Sequence, residues 1–456
     1  MNWFRRLHPL ERTAGTTAFT FVLVVVGLSL FSNWVGLRVG LYAADSLQRI
    51  GPYETITLRF SQPVQEQGVQ KALTLDPPVA GTYDWQNDHT LLFIPRAAYP
   101  PKMTVRLASG RMGITGGWLR QATNWTLAVR PSQIVYLSET DPTHELMSVP
   151  EAGGRPHQLT FTGEKVFDFN PSPLGDWIVY SASNAQNGLD LWLVDRNGNN
   201  PRRLLACGLD RCFSPVWSPD GRLIAYNREV INPNPAVPMG ASRLRVVDPM
   251  TGQDQSVFTS SQAIGSGALW SPDGMWLASD DSVAEEIRVT NIKSGQQVLL
   301  PSSLGLLGSW SPDSTVLLYP DNVTNATQEM QEVIERADFQ SGEAGIFLGN
   351  TPVDDTNYLD AAWRPSGGQV LLNVRLDPQK PDQQLWLFHP ATQDGLLVAH
   401  QPGYTYDFPR WDTWGTRLVF QAADLNRAYS PEVQIWQEGE SVKTIAKNGI
   451  FPQWLP

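Results

Sequence analysis

A short turn motif that recurs along the chain constrains its fold more than any other feature. Trp217-Ser218-Pro219-Asp220-Gly221 returns, whole or modified, and an alternating apolar segment follows it. Proline fixes φ and glycine accepts a positive φ, so each copy predicts a tight turn between two β-strands. The aromatic residues that mark the repeats are 40 to 53 residues apart: Phe169, Trp217, Trp270, Trp310, Trp363, Trp411 and Trp454. Seven four-stranded units with this period predict an all-β fold, a seven-bladed β-propeller.

The end of the chain predicts how the propeller closes. Strands that begin near Gln133, Glu145 and His157 lack an inner partner, and the segment from Ile450 to Leu455 is an inner strand without a blade. Because an unpaired strand edge is an aggregation liability, we predict that these ends pair and that the propeller occupies 132–456. The turn motif resembles that of the TolB-type propellers over about 320 residues. The resemblance implies a fold and says little about function, because propellers host many functions.

Residues 51–131 predict a separate small β domain. Short alternating runs such as Thr55 to Phe60 and Thr90 to Ile94 give about six strands, the pattern of an immunoglobulin-like sandwich. The segment resembles the SbsA-type bacterial Ig-like domains, which implies a spacer or adhesion module of a bacterial envelope without catalytic residues. The matching residues are Phe60-Ser61-Gln62-Pro63-Val64, Leu75, Pro77, Gly81, Trp85, Phe93-Ile94-Pro95, Gly116 and Leu119.

The N-terminal segment predicts a transmembrane helix. Thr13 to Leu37 are 25 positions without a charge. As a helix they would span about 37 Å, more than the hydrocarbon core of about 30 Å. Arg5, Arg6 and Arg12 precede them, which predicts a cytoplasmic N-terminus. We therefore expect residues 1–50 to hold a single membrane span, with the rest of the chain outside the cytoplasm; a cleaved signal peptide is the alternative.

Composition and missing motifs exclude several functions. The net charge of −11 argues against nucleic-acid binding, since the phosphate backbone requires a basic surface. The sequence has no G-x-S-x-G elbow and no H-x-x-x-H spacing, and no catalytic domain is expected after the closing strand. We therefore expect no enzyme, with a propeller lyase or hydrolase as the minor alternative.

The two cysteines, Cys207 and Cys212, flank a four-residue gap in a link between blades. Outside the cytoplasm this spacing favours a disulfide. Metal binding by the pair would need two further ligands, and no histidine lies near it in the sequence. We expect neither a metal nor a cofactor.

Loop lengths predict which face of the propeller is functional. The turns after first and third strands are short, whereas long insertions such as 229–241 and 424–431 fall in loops that share the opposite face. Loops on a rigid scaffold carry function, although insertions also accumulate by tolerance alone. We predict that this loop-rich face binds a protein partner, as a scaffold of an envelope complex; the alternative is a glycan or small ligand in the central channel. The candidate contact residues are Phe213, Tyr358, Tyr404, Tyr406, Arg427 and Tyr429.

Overall fold

The computed structural model describes residues 17, 20, 22, 36–43, 47, 49–114, 116–139, 144–163, 166–234, 240–258, 264–324, 329–349 and 356–456. The chain divides into two compact units, residues 1–130 and residues 131–456. Each unit has a hydrophobic core of its own.

The first unit is a small β domain with one short helix, α1 (Glu66–Ala72). Its strands are β1 (Val39–Tyr42), β2 (Ile56–Phe60), β3 (Leu73–Asp76), β4 (Gly81–Asn87), β5 (Thr90–Pro95), β6 (Lys102–Leu107), β7 (Gly110–Arg111), β8 (Trp118–Leu119) and β9 (Thr123–Ala128). They form sheets with the orders β1-β2-β5-β4, β3-β6-β9 and β7-β8. The inward-facing residues alternate along the strands, as Ile56, Leu58 and Phe60 do in β2, because successive side chains of a strand point to opposite faces.

The predicted fold class included a transmembrane helix, and this part of the prediction is wrong. In the part of the chain that the structure describes, no helix is long and apolar enough to cross a membrane, which also contradicts the expected single-pass location. Most of the segment 13–37 lies outside the described residues. The last residue of this segment, Leu37, is buried in the core of the first unit, and the strand Val39–Tyr42, which pairs with β2, follows it.

The second unit consists of 28 strands. They are β10 (Gln133–Ser138), β11 (Leu146–Pro150), β12 (His157–Gln158), β13 (Val166–Pro171), β14 (Trp177–Ser183), β15 (Leu189–Asp195), β16 (Arg202–Leu205), β17 (Arg211–Trp217), β18 (Ile224–Glu229), β19 (Arg243–Val247), β20 (Asp254–Ser256), β21 (Ser266–Trp270), β22 (Trp276–Asp281), β23 (Glu286–Asn291), β24 (Gln297–Pro301), β25 (Ser309–Trp310), β26 (Val316–Thr324), β27 (Met330–Asp338), β28 (Ala344–Leu348), β29 (Asn357–Trp363), β30 (Val370–Arg375), β31 (Gln384–His389), β32 (Asp394–His400), β33 (Tyr404–Trp411), β34 (Arg417–Asp424), β35 (Glu432–Gln437), β36 (Lys443–Lys447) and β37 (Gly449–Leu455), counted within the described residues.

These strands form seven antiparallel four-stranded sheets, which we number as blades 1 to 7. Blades 2 to 7 each take four consecutive strands, starting with β13, β17, β21, β25, β29 and β33, and one bridge joins β15 to β17. Blade 1 has the order β12-β11-β10-β37, so its innermost strand is the last strand of the chain. Ile134 lies opposite Trp454, which is the pairing predicted for the two ends of this unit. The arrangement is that of a β-propeller.

The repeated turn motif is held by its own side chains. In blade 3 the Ser218 hydroxyl donates to Asp220 at 2.6 Å and accepts the N–H of Leu223 at 2.9 Å. The preceding tryptophans are packed between blades, and the indole N–H of Trp454 donates to the carbonyl of Arg410 in blade 7 at 2.9 Å. The turns therefore fix where each innermost strand ends, which sets the register of the residues that face the centre.

Candidate functional site

A cavity of about 1050 Å³ lies at the centre of the propeller. All seven innermost strands contribute residues to its wall: β13, β17, β21, β25, β29, β33 and β37. Loops between second and third strands add Glu139 and His144 from blade 1 and Tyr429 from blade 7. A cavity of this volume is at the upper end of the range of about 300 to 1000 Å³ that small-molecule sites occupy.

A β-bulge at a fixed position shapes this wall. In four innermost strands the residue three places before the tryptophan has a left-handed backbone, with φ of 49° at Ser214, 65° at Gly267, 52° at Phe408 and 53° at Phe451. Each of these residues falls where the pairing register shifts. A bulge inserts an unpaired residue and redirects side chains, so this position decides what faces the cavity.

Two aspartates also line the cavity. Asp360 stands three residues before Trp363, and Asp168 three residues before Pro171, the end of β13. Asp168 accepts hydrogen bonds from the Ser181 hydroxyl and from the Ser214 N–H of the next blade. Burial raises the pKa of Asp168 to about 6, although these hydrogen bonds act in the opposite direction.

Asp360 lies near a guanidinium. Burial raises the pKa of Asp360, and the positive charge of Arg410 partly offsets that effect. Arg410 is exposed and donates Nη1 to the carbonyl of Pro409 at 2.9 Å. The lining thus contains three carboxylates, those of Glu139, Asp168 and Asp360, against the guanidinium of Arg410.

An aromatic wall, formed by Phe408, Phe451 and Tyr429, occupies the side of the cavity made by blades 7 and 1. The Phe408 and Phe451 rings meet edge to face, with centroids 4.6 Å apart. Their side chains are 40% and 37% exposed, and Tyr429 is 63% exposed. The buried Gln421 joins two members: it accepts the N–H of Phe451 at 3.3 Å and donates to the Tyr429 hydroxyl at 3.4 Å.

Carboxylates border the aromatic wall at the loop side. Burial raises the pKa of Tyr429, and the negative charges of Glu139 and Asp407 raise it further. His144 Nε2 lies 3.1 Å from Glu139 Oε2. Burial also raises the pKa of Asp407. The wall is therefore apolar in its centre and negative at its edge.

A second aromatic pair stands on blades 2 and 3. Phe167, in the cavity lining, and Phe213 have ring centroids 6.2 Å apart. The guanidinium carbon of Arg211 lies 5.3 Å from the Phe167 centroid and 5.6 Å from that of Phe213. Arg211 also pairs with Glu229 at 3.5 Å. Two rings and one carboxylate thus already hold a guanidinium here.

The candidate contact residues from the sequence are spread over different environments. Tyr429 lines the cavity, and Phe213 contacts the lining residue Phe167. Tyr406 is buried in the core of blades 6 and 7, where Tyr404 packs against the same core. Tyr358 packs in another core cluster. Arg427 is exposed and forms an ion pair with Asp424 at 3.1 Å.

Sequence reasoning missed four residues of the cavity lining: Asp168, Phe408, Arg410 and Phe451. The signal that would have found Phe408 and Phe451 is their fixed distance from the repeat marker, since each precedes a tryptophan by three residues, whereas Asp168 lacks this signal because its repeat is marked by Phe169. Arg410 has no such signal.

The two cysteines do not line the cavity. Cys207, in the link between β16 and β17, forms a disulfide with Cys212 of β17, and the Cys207 N–H donates to Asp190 at 2.8 Å. Among the described residues, no group of three or more His, Cys, Asp or Glu side chains is placed to hold a metal ion.

Comparison with known proteins gives partial similarities. No family model matches the chain. The uncharacterized protein YidR of Escherichia coli (strain K12) is 26% identical over 205 residues, which are 42% of this chain and 44% of YidR. The chain therefore matches less than half the length of this curated relative.

The similar solved structures include TolB-type and other propeller proteins. A putative TolB from Agrobacterium tumefaciens has 20% identity and a TM-score of 0.41, and covers 54% of this chain and 84% of its own. TolB from Acinetobacter baumannii has 15% identity and a TM-score of 0.38, with 72% and 83% covered. The oligogalacturonate lyase from Vibrio parahaemolyticus has 13% identity and a TM-score of 0.49, with 70% and 86% covered.

These similarities include TolB proteins and an enzyme, so they do not settle whether this chain is an enzyme. The similarities do not confirm the resemblance of the first unit to the SbsA-type Ig-like domains. They also do not confirm the resemblance of the W-S-P-D-G repeat to that of the TolB-type propellers.

Proposed function

We propose that the chain is an interaction protein and that its propeller binds a segment of a protein partner in the central cavity. The observation that carries the proposal is the aromatic wall. Phe408, Phe451 and Tyr429 expose large rings to one cavity, and exposed apolar side chains gathered in one place mark interaction sites. Aromatic side chains also dominate the energetics of protein interfaces.

The loop-rich face is the expected entrance. The cavity lining includes Tyr429 of the 424–431 loop and Glu139 and His144 of the β10–β11 loop. The turns between third and fourth strands, such as Asp248 to Gly252, contribute no residue to the lining. A segment that enters between the loops of blades 1 and 7 would contact the aromatic wall first.

A small polar ligand in the same cavity is the second candidate. The volume and the mixture of aromatic and acidic groups fit a sugar or another small molecule as well. The two candidates differ in how far the ligand extends. A protein segment would continue out of the cavity and contact the surrounding loops, whereas a small ligand would stay inside it.

Site-specific photo-crosslinking in the native source cells tests the proposal. A photoreactive phenylalanine analogue replaces Tyr429 in one variant and Met250 in the matched control, since Met250 is 85% exposed in a third-to-fourth turn. We expect a discrete protein adduct from position 429 that excess unlabelled protein suppresses and that the added Phe451→Leu substitution weakens. Equal adducts from both positions, or adducts from position 250 alone, would contradict the proposal.

A further inference from the structure

We propose that the bound segment presents a cationic group, a guanidinium or an ammonium, to the aromatic wall of Phe408, Phe451 and Tyr429. This ligand chemistry rests on the proposed function and deepens it. Three features carry it: an occupied cation site of the same kind elsewhere in the propeller, the exposed rings of the wall, and the sign of the charge around them.

The occupied site is the pair Phe167 and Phe213 in blades 2 and 3. Their rings come from neighbouring innermost strands, and Arg211 lies over both within 5.6 Å. Its charge is balanced by Glu229. The negative face of an aromatic ring attracts a cation, and the attraction grows when water is excluded. This propeller therefore already uses two phenylalanines and one carboxylate to hold a guanidinium.

The aromatic wall repeats this arrangement two blades away along the ring. Phe408 and Phe451 come from the neighbouring innermost strands β33 and β37, with centroids closer together than those of Phe167 and Phe213. In the described part of the chain, no arginine or lysine lies over either ring at cation–π distance. Both rings are more than one third exposed, so their faces are accessible to a ligand.

The charges around the wall favour a cation over an anion. Glu139 and Asp407 lie close enough to Tyr429 to raise its pKa, and Asp360 lies on the neighbouring blade. Arg410 offsets one carboxylate, so the lining keeps an excess of negative charge. Carboxylates with partly dehydrated surroundings gain most from a cation placed beside them.

An anionic ligand is the opposing possibility, because Arg410 is exposed at the same wall. A carboxylate there would have to approach Asp360 as well. Repulsion between like charges in a partly dehydrated site is unfavourable. The sign of the ligand charge therefore separates the two possibilities directly.

A random 12-residue peptide library displayed on phage is panned on the full-length protein and, in parallel, on the double variant Phe451→Leu, Tyr429→Leu. Both substituted side chains are exposed, so the variant should fold, and circular dichroism checks this. We expect peptides that bind the wild type alone to be enriched in arginine or lysine. The strongest binder is then synthesised with each basic residue replaced by citrulline or norleucine.

Replacing arginine by citrulline keeps the shape and removes the charge, and we expect it to weaken binding about tenfold. The Asp360→Asn variant should lose the preference for arginine over citrulline, whereas Phe451→Tyr, which keeps a ring, should retain it. Peptides that bind only the wild type but contain no basic residue, or that bind equally well with citrulline, would overturn the proposed cationic ligand. They would leave the proposed function intact.

The failure of the proposed function gives a different result. If the library yields no peptide that depends on the wall, protein-segment binding fails. Free argininamide and tetramethylammonium are tested by calorimetry in the same series. If either free cation binds the wild type and binds more weakly to the Asp360→Asn variant, while no peptide binds, the cationic ligand is a small molecule. If neither peptides nor free cations bind in a wall-dependent way, both proposals fall.

Discussion

Asp168 should make the protein lose stability as pH rises through the weakly acidic range. Burial disfavours the charged form of this carboxyl group and raises its pKa from the ordinary value of 3.8 to about 6 in the folded protein. Below the unfolded pKa both states are protonated and nothing is lost. Between the unfolded pKa and the folded pKa, the unfolded chain has released the proton that the folded chain still retains, so the free energy of unfolding decreases over this range and becomes constant above it.

The magnitude follows from the two pKa values. One pKa unit corresponds to about 1.4 kcal/mol, so the difference gives an upper limit of about 3 kcal/mol. Asp168 lies on a cavity wall that solvent reaches, which reduces this figure, and we expect about 1 to 3 kcal/mol. Asp168→Asn is the fitting perturbation, since an amide has similar shape, can accept from the Ser214 N–H and can donate to the Ser181 hydroxyl.

Denaturant unfolding of the full chain at pH 4.5, 6 and 8 measures the effect. The free energy of unfolding of Asp168→Asn minus that of the wild type should increase by about 1 to 2 kcal/mol from pH 4.5 to pH 8, because part of the full effect is already present at pH 4.5. Any pH-independent change in hydrogen bonding cancels in this comparison. The exposed substitution Asp394→Asn controls for net charge. A difference that stays constant with pH, or one that decreases, would refute the buried-carboxylate argument.

Three further variants test the scaffold, each read from denaturant midpoints. Trp454→Ala removes the buried indole that joins the closing strand to blade 7 and should cost about 3 to 5 kcal/mol, whereas the exposed Trp118→Ala should cost little; similar losses would speak against closure by β37. Replacing Cys207 and Cys212 together by serine opens a short loop and should cost about 2 kcal/mol; under a reducing agent, wild type and variant should converge. Gly308→Ala should cost at least about 2 kcal/mol, because φ is +66° and a Cβ would meet backbone at 1.9 Å; an unchanged midpoint would contradict this packing.

The blade repeat and its closure were readable because turn chemistry and strand alternation act locally. Proline, glycine and the serine and aspartate side chains of each turn are adjacent in sequence, so a single chain shows them. The transmembrane prediction counted Leu37 as part of a membrane span, whereas its side chain is buried in the core of the first unit. An apolar run in a sequence does not by itself show whether its residues face lipid or a protein core.

The cavity wall was hidden from sequence reasoning by the bulge. In an ideal strand Tyr404, Tyr406 and Phe408 would share one face. The register of β33 shifts between Asp407 and Arg410, so Phe408 lines the cavity while Tyr406 is buried in the core. The aromatic residues of the sequence therefore indicated the correct strand, β33, but the predicted contacts were Tyr404 and Tyr406 where the cavity residue is Phe408.

The backbone at the bulge gives a reason to treat the aromatic wall as functional. Gly267 adopts the left-handed conformation without a Cβ penalty, whereas Phe408 and Phe451 hold the same conformation with a bulky side chain. Each such residue costs of order 1 to 3 kcal/mol, and neither ring recovers this by full burial, because both remain more than one third exposed. Glycine would suit the fold better at both places. A side chain that the fold does not need, aimed with its partner into one cavity, is best explained by what it binds.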